Sequence, residues 1–192
     1  MTARIELVVG LGNPGKDYEM TRHNAGAWFV DRLAERINSS FRRDVKFHGE
    51  SARSEINGLA IHLLKPGTFM NRSGQAVVSI SQYFKIPVEN ILVVHDELDL
   101  PVGTVRLKKG GGHGGHNGLR DIIAALGRRN DFMRLRIGIG HPGHRNDVSD
   151  YVLSEPGKKD KQVILDAVEE ACDVMGLVAS GEYEKAMHRL HS

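Results

Sequence analysis

Cysteine is almost missing from this 192-residue chain: Cys172 stands alone, which excludes an intramolecular disulfide framework and any cysteine-cluster zinc site. No apolar run approaches the ~20 residues that span a bilayer. Met1-Thr2-Ala3-Arg4 passes straight into the strand-like Ile5-Glu6-Leu7-Val8-Val9, without the layout of a signal peptide. The sequence therefore reads as a cytoplasmic protein with no membrane association. A strong net charge is lacking too. With 26 Lys+Arg against 24 Asp+Glu the formal charge is +2, which excludes a uniformly basic, RNA-coating protein and nothing more. The 40% hydrophobic and 26% charged fractions exclude disorder as the main state. There is no Gly-x-Ser-x-Gly elbow, no Gly-x-x-x-x-Gly-Lys-Ser/Thr loop and no His-Glu-x-x-His.

What is present is unevenly spread. Between Pro101 and Arg145 lie nine basic residues opposed only by Asp121 and Asp131, a local +7 that leaves the remainder at −5. Such a segment suits phosphate, although charge alone leaves open a solvated surface of interleaved signs. The same segment holds 11 of the 22 glycines, densest from Lys109 through Gly118. A loop so rich in glycine lets the backbone approach a ligand closely, or move.

Length predicts one domain, residues 1–192, able to bury about 70% of its unfolded surface. Ile5 to Val9 predicts a buried strand. Asn24-Ala25-Gly26 opens a helix with Trp28, Phe29, Leu33, Ala34 and Ile37 on its apolar face. Arg53 to Ile56 and Leu59 to Leu64 flank Asn57-Gly58, a hairpin signal. Ser73 to Phe84 predicts a helix ended by Pro87, and Ile91 to Val94 a strand covered on both faces. Thr104 to Leu107 predicts a short strand, Asn117 caps a helix running to Leu126, and Leu135 to Ile139 alternates basic with apolar. From Lys158 the spacing of Val163, Ala167, Val168, Ala171, Cys172 and Met175 predicts a helix to near the end, with Cys172 in the core. The expected class is α/β: a three-layer α/β/α sandwich on a twisted, mixed, mostly parallel sheet.

Gly10-Leu11-Gly12-Asn13-Pro14-Gly15 follows a strand and matches the dinucleotide-binding fingerprint, but that motif needs its helix to open at once. Here no helical period begins until Trp28, so the segment predicts a long functional loop carrying Asn13, Tyr18, Arg22, His23 and Asn24. If the strand before His95-Asp96-Glu97 runs parallel to the first, Asp96 reaches the same sheet end and can orient His23 as a base toward water. A metal site built on His113, His116 and His95-Asp96 remains an alternative with weak spacing. A non-catalytic RNA-binding module is a second.

Four segments in order resemble the bacterial peptidyl-tRNA hydrolase family: Val9 to Gly15 continuing through Tyr18 to Thr21-Arg22-His23-Asn24; Thr68-Phe69-Met70-Asn71; His95-Asp96-Glu97-Leu98-Asp99; and Gly110 to Gly118. The likeness spans Ile5 to about Leu190. It implies hydrolysis of the ester joining a peptide to the 3′-terminal ribose of tRNA, without cofactor or metal, by a cytoplasmic monomer with no obligate protein partner. By position it makes His23 the general base, Asp96 its orienting carboxylate, and Asn13 the group that distinguishes N-blocked peptidyl-tRNA from free aminoacyl-tRNA. Tyr18, Phe69, Asn71 and Asn117 would contact the acceptor end and the peptide backbone, with Met70 and His116 lining the cleft. Lys108 and Arg136 would hold the 5′-phosphate, with Arg106 nearby. Arg72 departs from the uncharged or variable residue expected after the asparagine.

Overall fold

β-Branched and leucine-rich runs supply the centre of the sheet. In the computed structural model, which describes residues 3–191, β1 (Leu7–Gly10) is buried along its whole length and pairs in parallel with β5 (Ile91–Glu97). β4 (Leu59–Pro66) lies parallel to β1 on its other side, and β7 (Met133–Gly138) parallel to β5. Antiparallel strands complete the edges: β3 (Gly49–Ile56) and β2 (Arg42–Asp44) beyond β4, and β6 (Val105–Lys109) beyond β7. The order is β2-β3-β4-β1-β5-β7-β6. The sheet is mixed, with four parallel strands at its middle, while its pairings divide evenly between parallel and antiparallel. Asn57 (φ 52°) and Gly58 (φ 79°) form the β3–β4 hairpin turn, both in the left-handed conformation that a type I′ turn needs.

Strand alternation sends Val8, Leu92, Val94, Leu135 and Ile137 to one face of the sheet. There they pack with α1 (Ala25–Arg36), α5 (Lys158–Asp173), α6 (Met175–Ala179) and α7 (Tyr183–His191). Leu7, Val9, Ile91 and Val93 face the other way, against α2 (Ser73–Tyr83) and α3 (Asn117–Ala125). The result is the expected three layers, each buried Leu, Ile or Val contributing ~1.5–3 kcal/mol. On this second face the β7–β6 edge carries cations instead: Arg106 opposes Arg136, and Lys108 opposes Arg134. Like charges directly across a ladder are destabilising, and of these four cations only Arg136 meets a carboxylate among the described residues, Glu97 at 3.7 Å. Among the described residues no helix is long and apolar enough to cross a membrane.

Three expectations are corrected. The C-terminal helix is not continuous: it breaks after Asp173 and again at Gly181, whose φ of 85° cannot continue a helix. Its core stripe also starts at Ile164, fully buried, whereas Val163 is exposed. Adjacent aliphatic residues share the apolar sector, so spacing alone did not choose between them. Asn117 does not cap α3 either; His116 does, its Nδ1 accepting from the amides of Gly118 (3.1 Å) and Leu119 (3.3 Å).

The glycines after β1 serve packing. A Cβ on Gly26 would sit 2.2 Å from the Val94 carbonyl oxygen, and one on Gly10 would sit 2.5 Å from that of Gly26. Helix α1 thus crosses β1 and β5 at backbone contact. The helix begins fifteen residues beyond the end of β1, and its first turn is closed against the strand, the Ala27 amide donating to the Leu11 carbonyl at 3.1 Å where a pyrophosphate site would leave its amides open. Gly26→Ala should lower stability by ~1–3 kcal/mol through overpacking, seen as a lower urea midpoint at unchanged slope. An unchanged midpoint would refute the contact.

Candidate active site

Strand β5 continues through Glu97, so His95 and Asp96 are strand residues on opposite faces, and Asp96 is buried. His23 arrives from a 3₁₀ turn (Arg22–Asn24) immediately before α1. Its Nδ1 lies 2.9 Å from Asp96 Oδ2 and 3.0 Å from Oδ1. With Nδ1–H donating to the carboxylate, the lone pair of Nε2 is left as the reactive position, and His23 lines the cavity. Burial alone would lower the His23 pKa, but the Asp96 charge and hydrogen bond outweigh it and raise it above 6.5. Burial would raise the Asp96 pKa; the charges of His23 and His116, with their hydrogen bonds, hold it well below the carboxylate range.

His116 contributes more than a cleft wall. Because its Nδ1 accepts the two α3 amides, its proton belongs on Nε2, which donates to Asp96 Oδ1 at 2.8 Å. Asp96 is thus gripped from both sides, and the two imidazole centroids stand 5.0 Å apart. His95 packs edge-on to His116 and donates Nδ1–H to the Asp96 carbonyl (2.8 Å), while its Nε2 has no partner. Burial, then the charge of His116, presses its pKa down to about 3, so it stays neutral. His23, Asp96 and His116 form the one grouping among the described residues able to hold a metal ion. The atoms that would ligate are the ones joined here by hydrogen bonds. His113, the other histidine of the weak metal alternative, instead accepts from Gly115 within the exposed loop.

Asn13 is fixed with equal care. Its Oδ1 accepts from the Met70 amide at 2.7 Å, which identifies the other amide atom as the donor Nδ2, and the residue lines the cavity beside His23. Its backbone is clamped by Asn24: Asn13 N–H donates to Asn24 Oδ1 (2.8 Å), and Asn24 Nδ2 donates to Asn13 O (2.9 Å). A Cβ on Gly12 would strike the Asn24 amide at 2.8 Å, which explains glycine at that position. The sequence put Asn24 in the functional loop and at the opening of the helix without giving it a partner; its side chain makes no cap bond.

These groups face a cavity of about 410 Å³ lined by Asn13, His23, Phe69, Met70, Asn71, Asp96, His116 and Asn117. Asn117 Oδ1 accepts from Arg120 at 3.0 Å, leaving its amide hydrogens to point elsewhere. Tyr18 does not line the cavity; it stands behind Phe69, edge-on at 5.9 Å. Lys108 and Arg136 lie outside it too, on the β6–β7 edge, where Arg136 meets Glu97 at 3.7 Å. The opposite wall is α4 (Val148–Val152) with Leu153, an element too short to leave a periodic signal. Arg22, the neighbour of His23, holds that wall. Its guanidinium donates to the carbonyls of Tyr151 and Ser154 and lies 4.0 Å over the Tyr151 ring.

Followed by NMR, the His23 imidazole should titrate above 6.5, and Asp96→Asn should move it downward by removing the charge that favours the imidazolium. A titration unaltered by that substitution would detach the histidine from the carboxylate.

Residues 7–192 match the family model described as peptidyl-tRNA hydrolase. The chain is 55% identical over 192 residues to a peptidyl-tRNA hydrolase of Tolumonas auensis, covering 100% of this chain and 98% of the relative. It is 54% identical to one from Neisseria gonorrhoeae, covering 100% of both. The crystal structure of peptidyl-tRNA hydrolase from Acinetobacter baumannii superposes with a TM-score of 0.96 at 47% identity, over 100% of this chain and 97% of that one. A purine nucleoside phosphorylase of Toxoplasma gondii, at 9% identity and a TM-score of 0.51, shares the fold alone.

Proposed function

The chain belongs to the peptidyl-tRNA hydrolase family, enzymes that hydrolyse peptidyl-tRNA, and on that premise we propose which of its residues carry the reaction. His23 is the general base. Its Nε2 takes a proton from water as the water oxygen attacks the ester carbonyl carbon. The tetrahedral adduct then expels the ribose oxygen, which recovers that proton from His23. The products are a peptide acid and a tRNA with a free terminal hydroxyl. Asp96 holds the productive tautomer and stabilises the imidazolium formed in between. The observation that carries this reading is the His23–Asp96 contact with His23 on the cavity wall.

Asn13 supports the choice of substrate. With its carbonyl committed to Met70, it offers the cavity hydrogen-bond donors and no acceptor. Such a group suits an acyl carbonyl or a developing oxyanion, where one donor is typically worth ~3 kcal/mol. It gives nothing to the free ammonium of an aminoacyl-tRNA. Asn71 and Asn117, both on the cavity, supply further amides for a peptide backbone without reading its side chains, beside the hydrophobic Phe69 and Met70. Tyr18 supports Phe69 from behind. Lys108, Arg136 and Arg106 on the β6–β7 edge hold the 5′-phosphate. The chain acts as a single-domain, cytoplasmic monomer, without metal or cofactor and without an obligate protein partner.

His23→Ala should reduce hydrolysis of N-acetyl-aminoacyl-tRNA by at least ~10²-fold while tRNA affinity stays near normal. The unaltered enzyme should spare unblocked aminoacyl-tRNA and survive exhaustive chelation. Near-normal turnover by the variant would remove His23 as base, and loss on chelation restored by a divalent ion would make the His23–Asp96–His116 trio a metal centre. Lys108→Ala should weaken tRNA binding across all tRNAs and reduce the salt slope of affinity by about 1. An unchanged slope would move the phosphate elsewhere.

A further inference from the structure

A second groove, of about 720 Å³, opens where the β2–β3 edge, the 3₁₀ turn Val45–Phe47 and the carboxyl end of α2 converge. Its floor is aromatic. Phe84 stacks on His62 with centroids 4.0 Å apart and planes 23° from parallel, and Tyr83 stands edge-on to both Phe84 (4.8 Å) and the buried Phe47 (5.5 Å). Tyr83 is 58% exposed and Phe84 37%, so these rings keep much of their surface in water although the core lies within one residue. Burial lowers the His62 pKa, and the ring in the stack is neutral at neutral pH.

The rim is basic. Arg42, Arg43, Lys46 and Arg53 all line the groove, and among the described residues none of them forms a salt bridge. On α1, by contrast, Arg32 is matched to Glu35 and Glu169, and Arg36 to Glu169 and Asp173. Lys46 Nζ lies 3.8 Å over the Tyr83 ring. The only acid in the lining, Asp44, is engaged by the Lys46 amide at 3.1 Å.

Flat exposed rings beside unmatched guanidinium groups fit a ligand made of flat rings joined by anions. An acidic peptide would satisfy the cations and leave the rings bare; a duplex would hide the faces of its bases. We propose that this groove is a second RNA-binding surface, taking a short single-stranded segment with bases on Tyr83 and Phe84 and phosphates on Arg42 and Arg53, which share the His62 face of the sheet. The surface is separate from the phosphate edge near the active site. β2 and β6 are the two outermost strands, so six inter-strand spacings, ~29 Å, lie between them.

The test is fluorescence anisotropy of a labelled ten-residue oligouridine on the whole protein, with excess unlabelled acceptor-stem minihelix occupying the β6–β7 edge. Oligouridine should bind despite the minihelix. Tyr83→Leu should weaken it about tenfold and Tyr83→Phe should not, as loss of stacking predicts. Arg42→Ala combined with Arg53→Ala should reduce the salt slope by about 1.4, two single-strand phosphates' worth. All these variants should melt cooperatively and hydrolyse N-acetyl-aminoacyl-tRNA at the normal rate. Complete displacement by the minihelix, or equal affinity in every groove variant, would overturn the proposal. So would displacement by a ten-residue oligoglutamate with no effect of Tyr83→Leu, which would make the groove an acidic-peptide surface.

Discussion

One buried carboxylate organises the molecule's working end. Asp96 lies fully inside the protein, where an uncompensated charge is untenable, and it is tolerated because two imidazole N–H groups reach it from different parts of the chain. His23 comes from the long loop after β1, and His116 from the end of the glycine loop. Each loop therefore closes on the same charge, and removing it takes away the contact that joins them. Breaking a buried pair of this kind typically costs ~3–5 kcal/mol. The contact that sets the His23 tautomer is also the contact that joins three segments into one site.

Around that centre the remaining polar side chains are spent on fixing backbone. Asn24 clamps Asn13, and Asn13 in turn takes the Met70 amide, so the first loop and the turn before α2 share one short network. Arg22 ties the wall formed by α4 to the turn that carries His23. Arg134, almost fully buried on β7, donates to the carbonyls of Gly111 and Gly112 and so holds the glycine loop that delivers His116 and Asn117. Burial, then repulsion from Arg136, lowers its pKa. Entropically costly loops are thereby held at the positions the chemistry needs, with rigid strands beneath them.

Charge follows the same economy. The near-neutral total conceals a sheet whose β6–β7 edge gathers Arg106, Lys108, Arg134 and Arg136, while paired arginines on the helices are neutralised by neighbouring carboxylates. Local phosphate affinity without a global basic field lets an enzyme hold many tRNAs and still release them. The groove beside β2 repeats the pattern with rings in place of a catalytic centre.

The α/β class, the central strands, the Asn57-Gly58 hairpin and the meeting of His23 with Asp96 were legible in the sequence. Periodicity reports burial of contiguous residues, and turn chemistry reports backbone conformation, both local properties. The spacing also showed that no helix starts at the first glycines. What it left open depended on atoms far apart in the chain. His116 as both helix cap and donor to Asp96, Asn24 as a clamp rather than a cap, and Arg22 as the brace of α4 all depend on partners up to 132 residues away. The choice between Ile164 and Val163, and the break at Gly181, likewise depended on what packs against them. Residue types and spacing by themselves determined which chemistry this chain is able to perform. The tertiary structure alone decided which nitrogen of each histidine carries the proton, because a tautomer is set by the hydrogen bond made at the other end of the ring.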